Sequence, residues 1–410
     1  MVTLLPRRGS APAALTALAI GSFGIGMTEF VVMGLLPDLA KDLLPNAWAT
    51  NSESAIAQAG SLISLYALGV VIGAPTIAGS VARFPRHRVM IALALALTLF
   101  NALTLVAPSF EWVAASRLLA GLPHGAYFGI GALVASDVMG PGKRAQGVAF
   151  VLTGLTIANV VGVPVGTFLG QNFGWRTTFM VVAGVFALAT VCIAAFVPHH
   201  EGNPERTLRA ELRVFRIGQV WLTLAIGAIG FGGFFAVISY VAPMVTDVAH
   251  APAWAVPLIL VISGVGMTIG NLLGGRFADR NLRGTLLAGF VGTAVVLALI
   301  GLTAQWIVAL AALLFTLGIF GSILAPSIQT RLMDVAQDNQ SIAAALNHSS
   351  LNIGNSLGAL FGGTVIAAGW GFVAPAWVGV AMALIGLVLA AVSFALTRRP
   401  RVLAEASARS

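Results

Sequence analysis

One acid and one base stand deep in apolar sequence that carries almost no other charge. Glu29 sits in Phe23-Gly-Ile-Gly-Met-Thr-Glu29-Phe-Val-Val-Met-Gly-Leu-Leu-Pro37-Asp38, and Arg117 opens Arg117-Leu-Leu-Ala-Gly121-Leu-Pro-His124-Gly125. A charged side chain at the centre of a bilayer costs about 2.5–3.5 kcal/mol on insertion scales, so such residues mark ion pathways or relays. Desolvation favours the neutral carboxylic acid. A group that is neutral in one surrounding and charged in another can carry a proton. The two stretches run in opposite directions, and Glu29 and Arg117 lie roughly seven and five residues from the same end. At the helical rise these are depths of about 10 and 8 Å. The two groups therefore share a level, and Arg117 is expected to pair with Glu29 or Asp38 and tune protonation.

The elements that must position them are membrane helices. The chain is 58% hydrophobic and 9% charged, with a mean hydropathy of +0.95, where a soluble domain carries about 25% charge. A crossing helix needs about 20 apolar residues. Twelve stretches qualify, at 13–36, 56–81, 89–107, 112–135, 147–170, 176–197, 218–243, 254–275, 285–303, 306–328, 342–368 and 372–397. Nearly all of the 22 Lys and Arg residues fall in every second gap, among them Arg83, Arg86 and Arg88, Lys143 and Arg144, Arg276, Arg280 and Arg283, and Arg331 between spans ten and eleven. The positive-inside rule then places both termini and the central linker in the cytoplasm. The net charge of +8 is a topology signal and no nucleic-acid footprint, which would cluster on a soluble face. Arg7 and Arg8 precede an apolar run too long for a cleaved signal peptide, so the first stretch is expected to stay as a span. Cys192 is the lone cysteine, which leaves a packing role and no internal disulfide.

The chain repeats itself. Gly69, Gly73 and Ala82-Arg83 match Gly266, Gly270 and Asp279-Arg280 at an offset of 197 residues, and Asn159, Gly162 and Gly166 match Asn355, Gly358 and Gly362 at 196. Two six-span bundles related this way form a parallel repeat of a secondary transporter. The expected fold is all-α: bundles at 1–197 and 218–397, a cytoplasmic linker at 198–217 and a tail at 398–410. Within the linker, Leu208, Leu212 and Phe215 alternate with arginines at helical spacing. This reads either as a charged tether or as a helix lying on the anionic leaflet.

These residues resemble the drug/proton antiporter branch of the major facilitator superfamily, in particular bacterial chloramphenicol-resistance and arabinose-efflux-type permeases. The first span carries part of the likeness. Gly154-Leu-Thr-Ile-Ala-Asn159-Val-Val-Gly162-Val-Pro164-Val-Gly166-Thr-Phe-Leu-Gly170 is similar to the family's antiporter motif. Arg117 through Gly125 resembles its fourth-span motif, and Gly275-Arg276-Phe-Ala-Asp279-Arg280 its cytoplasmic gating motif. The first-half copy of the gating motif departs from the pattern, with Ala82 beside Arg83 and Arg86 where an aspartate is usual. Its latch must be weaker or made differently. The resemblance implies that spans one, four, seven and ten line a central cavity, that the halves rock about it, and that transport is outward.

Candidate cavity residues are Tyr66, Asn101, His124, Tyr127, Phe128, Phe231, Phe234, Phe235, Tyr240 and Asn347, since aromatic walls with a few polar groups suit a flat, moderately hydrophobic ligand. Gly140-Pro-Gly142-Lys143-Arg144 lacks the spacing of a phosphate-binding loop, and no His, Cys or carboxylate cluster has metal-ligand spacing. The expectation is a monomeric multi-pass protein of the bacterial inner membrane, without cofactor, exporting a small organic compound against protons. Export of sugars or other metabolites is the alternative. A membrane-embedded enzyme is a distant one, because no catalytic cluster is present.

Overall fold

The computed structural model describes residues 11–81, 84–140, 144–199, 216–336 and 340–407. All regular structure among them is helical. Eleven helices are long and apolar enough to cross a membrane. One of them, Ala255–Thr303, has 49 residues, or about 74 Å at the helical rise, more than twice a hydrocarbon core. It breaks at Asn281, where φ is −155° and ψ is 79°. The Asn281 Oδ1 accepts the Gly284 N–H at 3.0 Å, an N-cap that starts a new helix. The described residues thus provide twelve crossings.

Spans one to four are Ala11–Gly34, Ser52–Val81, Arg86–Val106 and Phe110–Met139. Span five is Arg144–Ile157 continued through a π-turn, Ala158–Gly162, into Val163–Phe173. Pro164 follows that turn and has no N–H for the helical ladder, which displaces the bonding. Span six is Trp175–Phe196. Span seven starts at Gly218–Ala225 and is interrupted repeatedly before Met244–Val248. Spans eight and nine are the two parts of Ala255–Thr303. Span ten is Ile307–Ala336, span eleven Gln340–Val365 with a π-turn at Ile366–Trp370, and span twelve Ala374–Ser407. Two short helices, Leu36–Leu43 and Pro45–Thr50, join spans one and two.

The halves are built alike because glycine lets the same pairs of backbones meet. A Cβ on Gly69 or Gly73 of span two would strike the carbonyls of Leu118 and Leu122 in span four, and one on Gly121 the carbonyl of Tyr66. In the second half, Gly266 and Gly270 of span eight face the carbonyls of Phe315 and Ile319 in span ten, and Gly318 that of Ser263. Small residues permit such approach where no hydrophobic force draws helices together.

Apolar packing divides the molecule across the membrane. Toward the face opposite the termini, one core joins both halves: Val31, Leu35, Leu62 and Phe179 share it with Phe235, Tyr240, Val256 and Leu260. Toward the terminal face the cores are separate. Leu18, Met90, Val134 and Ile193 belong to one, and Val220, Leu332 and Leu346 to another.

Several expectations about loops are corrected. Span eight runs to the break at Asn281, so Gly275, Arg276, Asp279 and Arg280 are helical. Span ten runs to Ala336, and Arg331 is buried inside it rather than free in a gap. Its guanidinium donates to the Ser393 Oγ and carbonyl and to Thr397 Oγ1, and lies 4.4 Å over the Phe394 ring. Ala82, Arg83, Lys143 and the linker residues 200–215 lie outside the described residues.

Candidate functional site

Arg117 is fully buried. Its Nη1 donates to Thr28 Oγ1 at 2.8 Å and its Nη2 to the Thr28 carbonyl at 2.7 Å. Thr28 Oγ1 in turn donates to Asn101 Oδ1 at 2.6 Å, and Asn101 Nδ2 donates to the Leu97 carbonyl at 2.8 Å. The guanidinium carbon stands 4.3 Å from the Tyr66 ring centre, a desolvated cation–π contact. Tyr66 Oη and His124 Nδ1 are hydrogen-bonded at 3.1 Å. His124 meets the edge of Phe128 at 5.3 Å, and Phe128 stacks on His348 of span eleven at 5.4 Å. Tyr66, Asn101, His124, Phe128 and Arg117 therefore form one connected chain of contacts that runs from span one to span eleven.

The expected pairing of Arg117 with Glu29 or Asp38 is not what forms. Neighbouring helix residues point about 100° apart, and Thr28 is the one aimed at Arg117. Glu29 points to the other half, where Asn355 Nδ2 donates to its Oε1 at 3.3 Å. Arg117 is thus adjacent to Glu29 but joined to it through the backbone of span one. Asp38 lies beyond the end of that span, on Leu36–Leu43. There burial pushes its carboxyl above the ordinary value.

Other expected cavity residues are engaged in packing. Tyr127 crosses to span one and donates to the Leu18 carbonyl at 2.9 Å, filling the place a Cβ on Gly21 would take. Tyr240 does the same within the second half, donating to the Ala359 carbonyl of span eleven at 2.7 Å, while its ring end stands over Gly60 of span two in the first half. Both hydroxyls are committed to carbonyls. Phe234 packs against Gly321 inside the second half and stacks on Phe231 at 5.9 Å. Phe235 is the ring that faces across, stacked on Phe30 at 6.3 Å. Asn347 shares its helix face with Gly354 and Gly358, the face turned to span seven.

In span five, Gly154 meets the Ala19 carbonyl, Gly162 meets Phe23 and Met27, and Gly166 meets Val31, all of span one. The backbone of Asn159 lies where Gly264 of span eight approaches. With Phe30, Met33, Val163 and Ser263, Asn159 borders a cavity of only about 20 Å³, room for about one water. This seam between the halves is closed. At the terminal face, Arg86 pairs with Asp137 at the end of span four. That ion pair answers the missing aspartate at position 82 with an acid from the same half. Asp279 and Arg280 are exposed and form no ion pair among the described residues. On the opposite face Asp42 accepts from the Trp175 indole at 2.9 Å and from Arg176 at 2.6 Å.

Sequence reasoning left Thr28, His348, Asn352 and Asn355 out of the site. The signal for Asn355 was present in its repeat match to Asn159. His348, Asn352 and Asn355 also recur at i, i+4 and i+7 in an apolar span.

The Major Facilitator Superfamily model matches residues 18–283 and 255–409. The inner membrane transport protein YdhP of Escherichia coli is 37% identical over 358 residues, 87% of this chain and 90% of its own. The chloramphenicol resistance protein of Streptomyces lividans is 29% identical over 359 residues, 87% of this chain and 89% of its own. Among solved structures, the D-xylose-proton symporter superposes with a TM-score of 0.72 at 16% identity, covering 93% of this chain and 97% of that one. At that identity the likeness concerns the fold alone.

Proposed function

The chain belongs to the Major Facilitator Superfamily, and from that premise we propose that this membrane transporter exports a small, moderately hydrophobic organic compound from a bacterial cell in exchange for protons. The observation that carries the reading is Glu29. It is the one buried carboxylate among the described residues, and it is held by an amide of the opposite half. A carboxyl at the seam of two moving bodies is placed to feel which of them it faces. The relative named for chloramphenicol resistance favours a drug-like substrate and outward transport.

With the termini in the cytoplasm, the joined core closes the outer side and the separate cores lie inward. Protonation of Glu29 from outside removes a buried charge and favours rocking inward. A substrate that then binds beside the carboxyl favours release of the proton to the cytoplasm. The halves move as bodies because the glycine-lined pairs within each are too tight to slide. Arg117 holds the backbone at Thr28, so the neighbouring carboxyl keeps its direction while it gains and loses a proton. One proton crossing about 150 mV releases about 3.5 kcal/mol. That sustains a concentration ratio of roughly 300 for a neutral solute.

The test is transport in everted vesicles with an imposed pH gradient. Glu29→Gln is expected to reach the membrane at normal levels and to lose proton-driven export. Unaltered export by that variant would refute the coupling role. Resistance profiles set beside sugar accumulation separate a drug substrate from a metabolite.

A further inference from the structure

Span eleven turns a row of polar side chains toward the first half. His348 stacks on Phe128 of span four, and Asn355 bonds Glu29 of span one. Asn352 lies between them on the same face. Asn352 Nδ2 donates to the His348 carbonyl at 3.0 Å. A backbone carbonyl only accepts, so the orientation of this amide is fixed and its Oδ1 is the remaining atom. That Oδ1 is buried without a partner, and so is the Oδ1 of Asn355. The residues are 6% and 1% exposed. Two buried acceptors left open, beside a carboxylate, are costly unless something donates to them.

The nearest cation does not fill them. Arg117 places one hydrogen of each Nη on Thr28 and lies against the Tyr66 ring, and none of its N–H groups bonds either open acceptor. The site therefore offers acceptors to a ligand: Oδ1 of Asn352, Oδ1 of Asn355 and the carboxyl of Glu29. The His348 imidazole can serve either way. Along the helix the two amides are about 4.5 Å apart.

Building on the transport reading above, we propose that the substrate is a neutral or protonated-amine compound carrying at least two hydroxyl or N–H donors about 5 Å apart on a flat apolar body. Asn352 and Asn355 of span eleven receive those donors. Carboxylates and phosphates are disfavoured, because each would set a like charge beside the Glu29 carboxyl and acceptors against open acceptors. When a substrate donor takes the place of the Asn355 amide at Glu29, the bond between the halves is exchanged for one to the ligand.

The experiment is equilibrium binding to purified full-length protein in lipid nanodiscs. It uses matched pairs: chloramphenicol and its diacetate, aryl glycosides and their O-methyl ethers, aryl ethanolamines and their fully methylated forms, with benzoate as the anion. The donor-bearing member of at least one pair is expected to bind roughly tenfold tighter per donor removed. In Asn352→Leu that ratio should collapse through weakening of the donor form alone. The unmodified protein already tests the claim if this variant fails to fold. The proposal is overturned if no donor-bearing compound binds, if blocked members or benzoate bind as well as their partners, or if the ratio survives Asn352→Leu, which would mean that water alone fills these acceptors. Selective binding without proton-driven flux would sink the export reading and leave this one standing. Proton-driven flux of blocked or anionic compounds would do the reverse.

Discussion

Span four carries Arg117 where span ten, 197 residues later, carries Leu314, and both side chains are fully buried. By the same offset Tyr66, stacked on that arginine, answers to Ser263. The backbones around the two places are alike, with Gly69 and Gly121 crossing in one half and Gly266 and Gly318 in the other. The first half thus holds a charged, hydrogen-bonded layer where the second half holds aliphatic core. The scaffold is set by glycines and tolerates either filling. The buried charges stand on one side, and the second half meets them with the Asn355 amide.

Exchanging the two fillings should break this comparison most sharply. Leu314→Arg buries a charge with no Thr28 or Tyr66 to receive it, at a cost of about 2.5–3.5 kcal/mol or more. Folded yield from membranes is expected to fall at least tenfold. The converse, Arg117→Leu, removes a buried charge. Because Thr28 keeps its bond to Asn101, the melting temperature should stay within a few degrees while proton-driven exchange is lost. A stable, inactive Leu314→Arg protein would show that the two halves receive charge equally well.

Scaffold substitutions should act the same way in both halves. Gly69→Ala and Gly266→Ala each drive a methyl into a neighbouring backbone carbonyl. Each is expected to cost about 1–3 kcal/mol, read as matched losses in thermal stability. A large loss in one half only would mean that the repeat is not mechanically symmetric.

The smallest effect belongs to the face opposite the termini. Bonds from the Trp175 indole and from Arg176 hold the Asp42 carboxyl below its ordinary range. Stability from this contact is present above the unfolded carboxylate pKa and disappears as pH falls through the lowered folded value. The melting-temperature gap between wild type and Asp42→Asn should be small at neutral pH and should close under strong acid. A gap that widens on acidification would contradict it.

Legibility followed the range of the interaction. Glu29 and Arg117 were visible because a charge in a long apolar run has no local excuse. The crossings were visible because hydrocarbon thickness fixes the length of each run. Tyr127 and Tyr240 misled: an aromatic hydroxyl in a span suggests a binding wall, yet each ends on a carbonyl exposed where glycine brings another helix close. Arg331 misled in the opposite way. Its place near a span end suggested a loop charge, and only the neighbouring span supplies Ser393 and Thr397 to bury it. The Arg86–Asp137 pair joins residues that sequence distance does not connect.

Hydropathy, charge alternation and the internal repeat determine that this chain is a twelve-span membrane bundle in two like halves, because the bilayer imposes helix length and leaves backbone polar groups no other partner. Which way each polar side chain points around its helix was decided by tertiary packing. One step of about 100° sends Thr28 to Arg117 and Glu29 to Asn355, and the partner waiting at each direction comes from a helix distant in sequence.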